Sequence, residues 1–161
     1  MIERRYLLAG LVLGGGLIGA PMLFAKSKRP LAEPGWRLPD AEWKRRLTPF
    51  QYKVLREAAT ERPFSSPLND EHRAGIFSCA GCALPLYSSR TKFDSGTGWP
   101  SFWAPLKGAI KTATDYELGY PRTEVHCRRC SGHLGHVFND GPKPTGKRYC
   151  MNGAALSFRP G

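Results

Sequence analysis

Cysteine is the residue type with the most reactive side chain in this 161-residue sequence, and the spacing of its five copies divides them into two kinds. Cys79 and Cys82 form one Cys-x-x-Cys pair, and Cys127 and Cys130 form another. Each pair can hold a metal ion with two thiolates from one tight turn, and two such turns complete a tetrahedral four-sulfur site of the kind that zinc prefers. Because a site with four protein ligands has no open position, we expect one structural Zn²⁺ and no catalytic metal.

The separation of the two pairs, residues 83–126, is longer than in a simple zinc ribbon. We therefore expect the metal to join two distant hairpins of one domain. Two disulfides in an oxidising compartment, or two redox-active pairs, are the alternatives. A local site built from the second pair with His133 and His136 is a further arrangement. It has an unusually short spacing between the histidines and leaves the first pair unused, so we assign both histidines to other chemistry.

The fifth cysteine, Cys150, has no partner in this scheme and is either an inert buried thiol or a nucleophile. The segment 148–152 has the pattern of a strand, in which alternate residues share a face. Arg148, Cys150 and Asn152 are then neighbours on that face, unless Asn152-Gly153 begins a turn, in which case the alternation holds only up to Cys150. Arg148 would favour the thiolate form of the cysteine, and Asn152 could position a substrate or a water molecule.

A dense aromatic segment, residues 98–103, is the second candidate for the site. Such a cluster is either a corner of the core or the wall of a binding site. Trp99 lies between Gly98 and Pro100, which places it in a loop and favours exposure of its indole.

The elements that must position these residues follow from capping and periodicity. Asp40 can cap a short helix carrying Trp43 and Leu47. A second helix is predicted to begin at Thr48, with proline at its first position and Gln51 closing a capping box, and to end before residue 62. From Gly75 onward, short apolar runs alternate with turn residues, which predicts antiparallel strands. We therefore expect a mainly β domain with one or two short N-terminal helices.

The N-terminal segment has the features of an export signal. Arg4 and Arg5 precede an uncharged, glycine-diluted apolar stretch over residues 6–25. The paired arginines indicate the twin-arginine route, and a retained membrane anchor is the alternative. We assign residues 1–25 to a signal peptide or anchor, 26–39 to a linker and 40–161 to the domain. The domain is expected to be periplasmic or otherwise exported, with membrane contact only through residues 6–25.

The chain carries a net charge of +11, with its basic residues spread along the sequence. A basic surface can attract nucleic acid, but dispersed charge is more typical of a solvated surface. We expect no nucleic-acid partner. The competing hypothesis is a zinc-stabilised module that binds nucleic acid or protein, in which Cys150 has no function.

With these residues assembled, residues 40–158 resemble the type B methionine sulfoxide reductases. The resemblance is carried by several motifs in the same order, which include Leu47-Thr48-Pro49, Thr60-Glu61-Arg62-Pro63-Phe64-Ser65, Lys92-Phe93-Asp94-Ser95-Gly96, Gly98-Trp99-Pro100-Ser101-Phe102, His133-Leu134-Gly135-His136-Val137-Phe138 and Arg148-Tyr149-Cys150-Met151-Asn152. The resemblance implies two antiparallel sheets, a remote structural zinc, and thiol-dependent reduction of the R epimer of methionine sulfoxide in peptides and proteins.

The resemblance also implies roles for individual residues. Cys150 is the nucleophile, while His133 and His136 are a proton donor and its partner. Trp99 forms the wall for the substrate methyl group, and Asn152 orients polar groups. The expected partners are oxidised methionine and an external thiol reductant, and the expected state is a monomer.

Two positions depart from the family pattern. Thr97 stands where many members have a second cysteine that resolves the sulfenic acid as a disulfide. With four cysteines assigned to zinc, the sulfenic acid must be reduced directly by an external thiol, or a zinc-site cysteine must be recruited. Gly153 stands where serine is common.

Overall fold

The computed structural model describes residues 29–161, which form two α-helices and nine β-strands. The helices are α1 (Asp40–Arg46) and α2 (Pro49–Glu57). The strands are β1 (Gly75–Cys79), β2 (Pro85–Ser88), β3 (Lys92–Phe93), β4 (Ser101–Phe102), β5 (Ile110–Asp115), β6 (Arg122–Cys127), β7 (His133–Phe138), β8 (Arg148–Met151) and β9 (Leu156–Pro160).

The strands form two antiparallel sheets, as the resemblance implies. One has three strands in the order β2-β1-β9, and the other has six in the order β3-β4-β8-β7-β6-β5. Phe77 of β1 and Tyr87 of β2 pack on Phe102 of β4, with ring centroids 5.0 and 4.3 Å apart. All three rings are fully buried, so the core lies where the small sheet meets the large one. The prediction of a mainly β fold with two short N-terminal helices is confirmed.

Helix α2 begins as predicted. The Thr48 side chain accepts a hydrogen bond from the Gln51 N–H, and the Gln51 side chain accepts one from the Thr48 N–H, which completes the capping box. The helix ends at Glu57, earlier than proline alone would require, because Ala58 adopts a left-handed conformation (φ 60°).

Helix α1 starts differently from the prediction, because Pro39 occupies the capping position and Asp40 is the first helical residue. The Asp40 carboxylate does not bond the helix backbone. It accepts a hydrogen bond from the Tyr52 hydroxyl and pairs with Lys44.

The predicted linker contacts the domain over the part that the structure describes, residues 29–39. The Glu33 N–H donates to the Arg129 carbonyl at 2.9 Å, and the Glu33 carboxylate pairs with Arg128 at 2.7 Å. The segment therefore lies on the turn between β6 and β7. Among residues 29–161, no helix combines the length and apolar content needed to cross a membrane. The predicted signal or anchor over residues 1–25 lies outside the described residues.

Candidate active site and metal site

Four buried cysteines meet where the two sheets approach each other. Cys79 and Cys82 flank the turn between β1 and β2, and Cys127 and Cys130 flank the turn after β6. Their sulfur atoms all lie within 4.8 Å of one another, with closest pairs at 3.5 and 3.6 Å. Tetrahedral zinc, with Zn–S bonds of about 2.3 Å, requires sulfurs about 3.8 Å apart, so the cluster fits a four-thiolate metal site.

Close packing of the four thiols shifts the pKa values of two of them in opposite directions. Contacts with Cys127, Cys130 and Cys82, together with burial, raise the pKa of the Cys79 thiol well above its usual range. Contacts with Cys127, Cys130 and Cys79 hold the pKa of Cys82 well below it. Each thiolate disfavours the next, and a cation bound among the four sulfurs would offset that repulsion. The sulfur separations also exceed the disulfide bond length of about 2.05 Å, and all five cysteines of the chain are free thiols.

Cys150 lies in a different setting, half-buried in the centre of the six-stranded sheet. It is paired with Ser101 of β4 on one side and with His136 of β7 on the other. Its thiol opens into a cavity of about 140 Å³, whose lining includes Trp99, His136 and Asn152. The structure therefore brings the predicted nucleophile to the predicted indole and to one of the two predicted imidazoles.

His136 is held at the cavity wall by Asp115, which is itself paired with Arg122. Its Nε2 lies 2.9 Å from Asp115 Oδ2, and Arg122 donates to the same oxygen at 2.5 Å. Burial lowers the pKa of His136, and the Asp115 hydrogen bond opposes this effect. Burial of Asp115 is outweighed by hydrogen bonds from the Glu117 N–H, His136 and Arg122, so the pKa of Asp115 lies below its usual range.

His133 lies behind His136 and does not line the Cys150 cavity. The two imidazole centroids are 5.6 Å apart. His133 is fully buried, and its Nδ1 contacts Glu124 Oε1 at 2.6 Å, while the other Glu124 oxygen lies 3.2 Å from His126 Nε2. A second cavity of about 160 Å³ has these three side chains in its lining and shares His136 with the first.

Trp99 is positioned by the backbone of Glu61, a buried residue to which the sequence analysis gave no role. The indole Nε1 donates to the Glu61 carbonyl at 3.1 Å. Glu61 is buried, and its carboxylate accepts hydrogen bonds from the N–H groups of Gly153 and Ala154. Glu61 thus joins the Trp99 loop to the chain just beyond Cys150.

The Asn152 side chain takes part in the same linkage. Its Oδ1 accepts from the Glu61 N–H at 2.9 Å, and its Nδ2 donates to the Leu134 carbonyl at 3.2 Å. Strand β8 ends at Met151, so Asn152 is not on the continuing strand face that the alternation predicted. The Asn152 amide nevertheless lines the Cys150 cavity.

Arg148 lies near Cys150, and its guanidinium is held by contacts with Asp140 and Phe138. Its guanidinium forms a two-point contact with Asp140 at 2.9 and 2.7 Å and covers the Phe138 ring at 4.4 Å. Hydrogen bonding to Asp140, with a smaller contribution from Cys150, raises the pKa of Arg148. The Arg148 side chain does not line the cavity.

A chain of hydroxyl groups occupies the position of the missing resolving cysteine. Thr97 Oγ1 lies 3.7 Å from Cys150 Sγ, and Ser95 Oγ lies 2.8 Å from both Thr97 Oγ1 and Ser101 Oγ. The side chain closest to the nucleophile on this loop is therefore a hydroxyl that cannot form a disulfide.

The second departure from the family pattern, Gly153, has a steric explanation. A Cβ atom at this position would lie 1.9 Å from Ser66 Oγ. The Ser66 hydroxyl itself accepts a hydrogen bond from the Leu68 N–H, which fixes it in that space. A serine at position 153 would therefore require Ser66 to move.

The sequence missed several polar residues that complete the site. Asp115 and Arg122 lie at the facing ends of β5 and β6, and Glu124 lies opposite His136 in the register of β6 and β7. Glu61 could have been found as part of the motif over residues 60–65. The other three have no comparable local signal.

Together, the fold and these contacts define a class: a two-sheet β protein with a remote four-thiolate metal cluster and one accessible thiol beside an imidazole. Comparison with known proteins agrees. The SelR domain family matches residues 47–160. The chain is 55% identical over 122 residues to peptide methionine sulfoxide reductase MsrB of Thiobacillus denitrificans, covering 75% of this chain and 92% of that protein.

Other relatives extend the comparison across bacteria and plants. The protein of the same name from Agrobacterium fabrum is 50% identical over 131 residues, covering 81% of this chain and 97% of that one. The chloroplastic peptide methionine sulfoxide reductase B1 of Arabidopsis thaliana is 52% identical over 122 residues, covering 75% of this chain and 60% of that one. The chain belongs to the type B methionine sulfoxide reductase family.

Proposed function

We propose that this protein reduces the R epimer of methionine sulfoxide in proteins and peptides to methionine, at the expense of an external thiol. The observation that carries the proposal is the cavity in which the Cys150 thiol, the His136 imidazole and the Trp99 indole meet. A nucleophile, a proton donor and an apolar wall are the groups that a sulfoxide with a methyl substituent requires.

The first step joins the thiolate to the substrate sulfur. Protonation of the sulfoxide oxygen makes its sulfur electrophilic, and the Cys150 thiolate attacks it. The oxygen then passes to the cysteine as the bond between oxygen and the substrate sulfur breaks. The products are methionine and a sulfenic acid on Cys150, so the substrate sulfur is reduced by two electrons and the cysteine sulfur is oxidised by two.

His136 is the direct proton donor, because it lines the cavity that contains Cys150 and His133 does not. His133 acts behind it: its contact with Glu124 fixes which ring nitrogen carries the proton and holds the ring against His136. The Asp115 carboxylate orients the His136 ring in the same way and favours its protonated form.

The oxidised enzyme returns to its starting state through two external thiols. The first displaces the sulfenic oxygen as water and forms a mixed disulfide with Cys150, and the second releases the Cys150 thiol and a low-molecular-weight disulfide. This route follows from Thr97, because the residue nearest to Cys150 on that loop has no thiol.

The four-cysteine cluster is proposed to hold one structural Zn²⁺. The four buried sulfurs form a closed set with tetrahedral spacing, and none of them lines the Cys150 cavity. When bound, the ion neutralises the thiolates and crosslinks the two sheets.

The proposed location is outside the cytoplasm, where the enzyme would repair oxidised proteins. Support comes from the order of Arg4 and Arg5, the apolar stretch 6–25 and the basic residues that follow it. We further propose that the enzyme acts as a monomer.

The experiment uses N-acetylmethionine sulfoxide as separate R and S epimers, with dithiothreitol as reductant. We expect turnover of the R epimer by the wild type and a loss of at least about a thousandfold in the Cys150→Ser variant. Because Cys150 is half-buried and makes no metal contact, the variant should remain folded, and circular dichroism serves as the control. Equal activity on both epimers, or retained activity in the variant, would overturn the proposal.

A further inference from the structure

The cavity around Cys150 has room for a side chain and not for a polypeptide. Its volume is about 140 Å³, and its lining residues surround the thiol closely. If the substrate is an oxidised methionine within a protein, as the proposed function holds, the residues on either side of that methionine must lie on the rim of the cavity. The composition of the rim therefore bears on which sequences are bound.

None of the exposed apolar side chains among residues 29–161 lines the cavity itself, but most of them lie on segments next to its lining residues. Among residues 29–161, six large apolar side chains are exposed, and four of them lie on two segments that adjoin the cavity. One segment carries Phe64, and the other, the turn between β5 and β6, carries Tyr116, Leu118 and Tyr120. We call these four side chains the apolar rim. Clustered exposed apolar groups mark binding surfaces, whereas scattered ones need no explanation.

Phe64 adjoins the Trp99 side of the cavity. Its N–H donates to the Gly98 carbonyl at 2.7 Å, and a Cβ on Gly98 would lie 2.8 Å from the Phe64 nitrogen. The two loops are therefore in direct backbone contact beside the indole. The Phe64 side chain is 71% exposed, so it covers little of the core.

Phe64 also adopts a backbone conformation that is unfavourable for its residue type. Its φ is 60°, in the left-handed region where a bulky residue is an outlier. Such strain is typical of functional positions, and neither packing nor local stability accounts for a phenylalanine here. A glycine or asparagine would satisfy the backbone at lower cost.

The second segment adjoins the His136 side of the cavity. Asp115, which contacts His136, is the last residue of β5, and Tyr116 follows it directly. Turns usually consist of glycine, proline, asparagine, aspartate and serine, yet three of the five residues 116–120 are large and apolar. Their side chains are 46–58% exposed.

We propose that the apolar rim is a docking surface for the substrate polypeptide, and that it selects oxidised methionines flanked by apolar residues. Phe64 contacts the residues on one side of the methionine, and the turn carrying Tyr116, Leu118 and Tyr120 contacts those on the other. The ligand is an extended peptide segment, because both parts of the apolar rim lie on segments next to residues that line the cavity for its central side chain. This inference rests on the proposed function.

The test compares three substrates as R sulfoxides, with dithiothreitol as reductant: N-acetylmethionine sulfoxide, a pentapeptide with glycine flanks, and a pentapeptide with phenylalanine and leucine beside the sulfoxide. For the wild type, we expect kcat/KM to be about tenfold higher for the apolar-flanked peptide than for the glycine-flanked one. Phe64→Ala and Tyr120→Ala should each remove most of this preference, mainly through KM. Both should leave N-acetylmethionine sulfoxide turnover within about twofold of the wild type.

Phe50→Ala is the matched control, since Phe50 is also exposed but lies at the start of α2, away from the Cys150 cavity. Phe64→Gly distinguishes a loss of peptide binding from a loss of stability. It relieves the left-handed strain, so the melting temperature should stay the same or rise while the peptide preference is lost.

Equal wild-type kcat/KM values for the two peptides, or equal losses on all three substrates in the Phe64 variants, would overturn the docking surface. Absence of turnover of the R epimer of N-acetylmethionine sulfoxide by the wild type would instead overturn the proposed function.

Discussion

The metal cluster and the Cys150 cavity hold the same functional group in opposite settings. At the cluster, four buried thiols face one another and satisfy a closed coordination set. In the cavity, one half-buried thiol faces an imidazole, an indole and a threonine hydroxyl. We therefore propose that the same side chain is structural where its partners are other thiols, and reactive where its partners can supply a proton and space for a substrate.

The comparison also separates the two regions by what they stabilise. The cluster joins β1 and β6, which belong to different sheets, so its loss should affect the whole domain. The cavity is formed at the surface of one sheet, where its polar contacts determine protonation and orientation more than stability. Substitutions at the cluster should therefore lower mainly the stability of the domain, whereas substitutions in the cavity should affect mainly the activity.

The largest effect is expected at the cluster. Cys127→Ser, or removal of the metal by a strong chelator, should lower the free energy of unfolding by at least about 4 kcal/mol, because three thiolates no longer form a closed site. Thermal unfolding should shift downward by about 10 °C or more, with loss of activity and of one equivalent of bound zinc. Cys150→Ser is the matched control and should keep both the zinc and the melting temperature. A Cys127→Ser protein with unchanged stability would remove the distinction between the two regions.

Next in size is the effect of the proton donor. His136→Gln should lower kcat/KM for the sulfoxide by about a hundredfold or more, because the cavity loses its only lining imidazole among residues 29–161. His133→Gln should have a smaller effect, since His133 acts through His136. Steady-state kinetics on N-acetylmethionine sulfoxide measure both, and unfolding curves check that each variant is folded. A larger loss for His133→Gln would reverse the proposed order of the two histidines.

A third prediction concerns pH and tests how the cavity controls protonation. The Asp115 hydrogen bond opposes the lowering of the His136 pKa by burial. Asp115→Asn removes that opposition, so the pKa of His136 should fall further and less of it is protonated near neutral pH. The limb on which activity falls with rising pH should therefore move to lower pH, with about a tenfold loss at pH 7. The control is Asp140→Asn, which alters a carboxylate that contacts Arg148 and not His136. An unchanged pH profile in Asp115→Asn would mean that Asp115 does not influence the pKa of His136.

The two regions also differ in how far the sequence could predict them. The metal ligands follow from two short spacings, because a Cys-x-x-Cys turn places both sulfurs locally and only the meeting of the two turns depends on the fold. Cys150 was identified by elimination and by the resemblance. The capping box of α2 was likewise predictable, since all its hydrogen bonds join residues three positions apart.

The contacts that position the catalytic groups could not be predicted in the same way. The Glu61 carboxylate bonds the Gly153 N–H, and the Asn152 amide bonds the Glu61 N–H, across separations of 92 and 91 residues. The alternation of strand β8 gave no hint of the Asn152 contacts, because the strand ends at Met151 and a 3-10 turn begins at Gly153. Glu124 reaches His126 on its own strand, but it contacts His133 only because β6 and β7 adopt one particular register.

The smallest expected effect comes from converting Thr97 to cysteine, which would make the cavity resemble the cluster by giving Cys150 a thiol neighbour. Thr97 Oγ1 lies 3.7 Å from Cys150 Sγ, so a cysteine here needs only a small adjustment to reach the disulfide distance of about 2.05 Å. After one turnover without reductant, Thr97→Cys should contain a disulfide and lose two hydrogens in mass. The wild type should instead carry a sulfenic acid that reacts with dimedone. Turnover with dithiothreitol should change by only about threefold, since the attack on the sulfoxide is untouched. Thr97→Ser preserves the hydroxyl and serves as the control. A wild-type protein that forms a Cys150 disulfide under the same conditions would show that a cluster cysteine is recruited, and the separation between the two thiol regions would then be incomplete.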